Sequence, residues 1–91
     1  MGGFIVERYW PGVTEADVRR AATALSAAAG AAAGARYLGS ILMPGDEVVL
    51  FRFDADSAAQ ASARSAQAGL RCDRVVPAVF LDARDQSPPG P

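Results

Sequence analysis

The side chains in this chain that can do chemistry are those that interrupt otherwise apolar strands. Glu7 and Arg8 are adjacent within Phe4-Ile5-Val6-Glu7-Arg8-Tyr9. Neighbours on a strand point to opposite faces, so at least one of the two charges is buried or borders a pocket. Paired, they are a structural ion pair across the sheet or an interface. Facing a cavity, Glu7 is a base, and Arg52 or a tyrosine holds an oxyanion or an anionic ligand. Arg52 shares its strand face with Val48 and Leu50, which makes it the same kind of exception. Tyr9, Trp10 and Tyr37 fall at or near strand ends, where aromatic rings either rim a pocket or pack inward with the polar tip at water. The candidate ligand contacts are therefore Glu7, Tyr9, Tyr37 and Arg52.

The remaining polar groups give less. Asp46-Glu47 and Asp54-Ala55-Asp56 are carboxylate pairs that a hard cation would accept, but turn and cap chemistry accounts for them. Cys72 lies between Arg71 and Arg74, cations that would lower a thiol pKa; with no Cys-x-x-Cys motif it reads as a spectator. The chain has no histidine, so a histidine-dependent mechanism is excluded, and no metal site is assigned. No phosphate-binding glycine loop, zinc spacing or nucleophile–base arrangement appears.

Composition sets the frame. Ninety-one residues, 51% hydrophobic and 21% charged with net charge −1, make a single small globular domain in which burial is marginal and oligomerisation helps. The nine basic residues are all arginine and form no run, so nucleic acid is not an expected partner. No run of apolar residues is long enough to span a bilayer, and the start lacks the pattern of a signal peptide. A cytoplasmic location with no membrane association is expected. One cysteine permits no internal disulfide.

Residues 3 to 9 read as a strand ended by Pro11-Gly12. Thr14 caps a helix with Val18, Ala21, Ala22, Leu25, Ala28 and Ala29 on its contact face. Residues 36 to 43 and 47 to 53 read as a hairpin around Pro44-Gly45, the central pair of a type II turn. Ser57 with Gln60 opens a second helix whose inner face is mainly Ala59, Ala63 and Ala66, and Gly69-Leu70 closes it. Residues 74 to 82 form the last strand, with Pro77 arguing for an edge. A proline-rich tail over 83–91 follows, expected to be disordered, leaving one domain over 1–82.

The order βαββαβ is the α+β, ferredoxin-like pattern: a four-stranded antiparallel sheet with both helices on one face. The strand Val48-Val49-Leu50-Phe51-Arg52-Phe53 carries large apolar residues on both faces, whereas a half-solvated sheet alternates apolar with polar. Val48, Leu50, Val75 and Val79 would then meet water in a monomer, at about 1.5 to 3 kcal/mol per side chain when fully covered. A homodimer through the open sheet face, two sheets making one α+β barrel, resolves this.

Val6-Glu7-Arg8-Tyr9 with Pro11-Gly12-Val13-Thr14, then Arg36-Tyr37-Leu38-Gly39-Ser40, Asp46-Glu47, Phe53-Asp54-Ala55 and Ala68-Gly69-Leu70 with Asp73-Arg74-Val75-Val76, resemble the DUF4242 family across residues 4 to 79. These are small bacterial proteins of ferredoxin-like fold, some described as nickel-binding. The resemblance implies a small dimeric binding protein holding a small ligand or, as in relatives, nickel. Where many relatives carry His or Asn near position 65 and Cys in the third strand, this chain has Ser65, Val49 and Phe51. The alternative, by analogy of fold, is a cofactor-free isomerase, cyclase or monooxygenase acting on a small aromatic or polyketide-like substrate. It would require a closed pocket containing Glu7 and Arg52.

Overall fold

The computed structural model describes residues 2–27 and 34–83. Six elements follow in order: β1 (Gly2–Tyr9), α1 (Glu15–Ala27), β2 (Ala35–Met43), β3 (Val48–Ala55), α2 (Ala58–Gln67) and β4 (Arg74–Ala78). The four strands form one antiparallel sheet in the order β2-β3-β1-β4. This is the expected α+β, ferredoxin-like arrangement, with the first and third strands central and Pro77 on an edge strand. The expected tail falls, from residue 84 onward, outside the described residues, as do Ala28 and Ala29 of the helix reading.

Local chemistry starts and stops the helices. The Thr14 hydroxyl accepts from Asp17 N at 3.1 Å, while the Asp17 carboxylate takes Thr14 N at 2.9 Å, a reciprocal cap. Ser57 accepts from Gln60 N at 3.2 Å to open α2. Its end is a Schellman motif: Gly69 N donates to Ala66 O and Leu70 N to Ser65 O, with Gly69 at φ 75.

One core lies between the helices and one sheet face. Val18, Ala21 and Leu25 of α1 and Ala61 of α2 pack on Val6, Val49, Phe51, Phe53 and Ala55. The inner face of α2 departs from expectation. Ala59, Ala63 and Ala66 are exposed, whereas Ala61, Arg64 and Ser65 are buried. Alanine occurs on every side of this helix, so apolarity alone does not reveal which side packs. Ser65 satisfies its hydroxyl on Ala61 O at 3.1 Å. Arg64, 1% exposed, donates to Leu25 O at 2.6 Å and so ties the end of α1 to α2.

Directly paired residues share a sheet face. The face away from the helices therefore carries Ile5 and Glu7, Ile41 and Met43, Val48, Leu50 and Arg52, and Val76 and Ala78. Val48 and Leu50 stand where expected, but Val75 pairs with Val6 and packs on the core, leaving Val76 on the open face. The last strand stops at Ala78 instead of residue 82, because its ladder reaches Gly3 and β1 has almost run out of partners. The Pro44-Gly45 turn also differs from type II. Asp46 N bonds to Met43 O and Glu47 N to Pro44 O, and the positive φ falls on Glu47 (φ 55), not on Gly45.

Candidate functional site

Arg52 stands on the open face between Ile5 of β1 and Gly39 of β2. Two local features seat it. A bulge between Tyr37 and Gly39 shifts the β2 register, and its guanidinium donates to Leu38 O at 3.3 Å. Gly39 has φ 139, and a Cβ there would lie 3.3 Å from the Arg52 guanidinium, so glycine serves both the backbone and the space.

The second wall comes from the chain beyond β4. Gly3 pairs with Ala78, and a Cβ on Gly3 would stand 2.2 Å from the Ala78 carbonyl oxygen and 3.1 Å from the Phe80 ring. The missing side chain lets the chain cross closely over the sheet, setting the Phe80 ring 5.4 Å from the Arg52 guanidinium carbon. The result is a groove of about 480 Å³ with a floor of Ile5, Ile41, Arg52 and Ala78 and a wall of Val79 to Asp82. Its rim is apolar and wet: Val79 is 81% and Leu81 61% exposed.

The four residues expected to share a site do not converge. Glu7 lies on the open face, but its carboxylate pairs with Arg74, its cross-strand neighbour on β4, at 3.1 Å. Tyr9 ends β1 and is 52% exposed. Tyr37 faces the helices, against Phe53 with ring centroids 5.8 Å apart, and its hydroxyl meets Ser40 Oγ at 2.5 Å. The bulge explains this: Ala35 and Tyr37 before it, and Ser40 and Leu42 after it, share the helix-facing side. Of the four, Arg52 alone lines the groove, and that groove lies on the open face, not between sheet and helices. Arg8 points to the opposite face from Glu7, as its position requires, and rests 3.7 Å from the Trp10 ring centroid.

At the other end of β1, Asp73 accepts from Tyr9 N at 2.7 Å and from the Arg71 guanidinium at 2.9 and 3.1 Å. These bonds, the Tyr9 N–H first, hold its carboxyl below the usual carboxylate range. Burial, the largest effect, pushes the Cys72 thiol pKa up and the Asp73 charge adds to it, against the lowering that neighbouring arginine charges would give. Nickel prefers nitrogen and sulfur donors. With no histidine in the chain, a single cysteine and no cluster of three metal-binding side chains among the described residues, these residues do not fit a nickel centre.

Sequence reasoning missed Arg64, Arg74 as the partner of Glu7, and the wall built by Phe80 and Leu81. One signal for the wall was present: Gly3 in a central strand marks a close backbone approach.

A scan of protein family models finds no match to the chain, and no curated protein matches it. Among solved structures the chain is similar to SCO4226 from Streptomyces coelicolor A3(2), with a TM-score of 0.75 at 16% identity over 88% of this chain and 99% of that one. At that identity the likeness is one of fold, and it agrees with the sheet order in assigning a small α+β, ferredoxin-like domain.

Proposed function

We propose that the chain is a homodimeric, non-catalytic binding module of the DUF4242 type, whose open sheet face is closed by a second copy and whose groove at Arg52 holds a small ligand. The apolar character of the open face carries this reading. Ile5, Ile41, Met43, Val48, Leu50 and Val76 line one side of a sheet whose helices lie on the other. Two such sheets stack at about 10 Å with side chains interdigitating. A partner sheet would also roof the Arg52 groove. A binding role is favoured over catalysis because Glu7, the base that the enzyme alternative needs, is held by Arg74 and does not line the groove.

Sedimentation velocity at micromolar concentration tests it. The wild type is expected to run as a dimer, and Leu50→Lys, in the middle of the open face, as a folded monomer with an unchanged far-ultraviolet spectrum. A monomeric wild type refutes the dimer, and a dimeric Leu50→Lys refutes the assignment of the interface to this face.

A further inference from the structure

We infer that the Arg52 groove is a site for a small amphipathic monocarboxylate, an acid with a compact aromatic or aliphatic body. This rests on the binding-module reading and names its ligand class.

The argument is one of charge complementarity. Arg19, Arg20, Arg36, Arg71 and Arg74 each pair with a carboxylate. Arg8 rests on Trp10, and Arg64 is buried between the helices. Arg52 differs from all of them. Among the described residues it forms no ion pair, yet its guanidinium is fixed by the Leu38 carbonyl and the Phe80 ring inside an apolar groove. A guanidinium presents paired donors that match a carboxylate, and one already held in place loses little freedom on binding. The Leu38 carbonyl bond still leaves other N–H groups to offer.

The groove also constrains the rest of the ligand. Its volume of about 480 Å³ lies within the usual range for small-molecule sites. Ile5, Ile41, Val79, Phe80 and Leu81 ask for an apolar body, and Phe80 offers a face for a ring. Asp82 on the same wall adds a negative charge. The apolar lining asks for a ligand with an apolar body and disfavours a wholly polar dianion such as phosphate.

Isothermal titration of the full-length chain with 3-phenylpropionate, octanoate, 3-phenylpropanol and inorganic phosphate tests the inference, with sedimentation on the same samples. One or both acids are expected to bind at one per chain, the alcohol and phosphate much more weakly. Arg52→Gln is expected to weaken the acid by about ten- to a hundredfold, the usual worth of a charged hydrogen-bonded pair, while Arg36→Gln leaves it unchanged. Equal binding of acid and alcohol, equal binding by wild type and Arg52→Gln, or no acid binding up to about 10 mM overturns the inference. A dimer that binds neither acid refutes the ligand class and leaves the dimer standing. A monomer that binds the acid through Arg52 supports the ligand class and refutes the dimer.

Discussion

Arg64 shows what a single side chain contributes that its residue type does not announce. An arginine in a surface-length helix among alanines reads as a solvated charge, yet this one is buried and donates to the Leu25 carbonyl in the last turn of α1. Its position follows from which side of α2 packs, and a helix with alanine on every side hides that side. Removing it deletes a charged hydrogen bond and a long buried stem, so Arg64→Ala is expected to cost about 3 kcal/mol, read from the urea midpoint. A midpoint within error of wild type would show that the bond contributes nothing. Glu47 is equally local. The Pro44-Gly45 pair is compatible with more than one turn type, and here Glu47 takes the left-handed position. Its carbonyl accepts from Trp10 N at 2.7 Å and its carboxylate from Gly12 N at 2.6 Å, contacts from the β1–α1 loop that no local pattern announces.

At the scale of elements, the order of strands and helices and their caps were legible, because periodicity, Thr14, Ser57 and Gly69 act within a few residues. What was not legible depends on pairing. The end of β4 is set by where β1 begins, and the face of Tyr37 by a bulge. Four candidate residues chosen for their chemistry were therefore distributed over two faces, and one reached the groove. Gly3 is the element-scale hinge of that groove, since it lets the chain after Ala78 cross the sheet. Gly3→Ala forces a methyl against the Ala78 carbonyl and is expected to destabilise by about 1 to 3 kcal/mol. Gly2→Ala, where an added Cβ meets nothing within 4 Å, should stay within about 0.5 kcal/mol. Matched denaturant curves for the two variants decide it, and equal midpoints would remove Gly3 from this role.

For the molecule as a whole, charge and titration define the working range. The carboxyls of Asp17 and Asp73 are held below their ordinary values, each chiefly by a backbone N–H, from Thr14 and Tyr9 respectively. Folding therefore favours their ionised forms. Their contribution is complete above the unfolded value of about 4 and is lost as pH falls through the depressed folded values. The Cys72 thiol is shifted the other way, so stability declines as pH rises past the unfolded thiol value of about 8.5. With no histidine to titrate between them, thermal unfolding is expected to show a plateau from about pH 5 to 8 with a fall on either side. A midpoint that moves steadily across that plateau would contradict the assignment. The two edges of the sheet bear on assembly in a different way. Pro77 has no N–H for a further strand beside β4, and the bulge in β2 breaks the regular ladder on the other side. Lateral growth, strand added to strand, is thus blunted at both ends. Despite its apolar face, the sheet offers no regular edge for strand-on-strand growth into fibres, so any association through that face would not extend along the ladder.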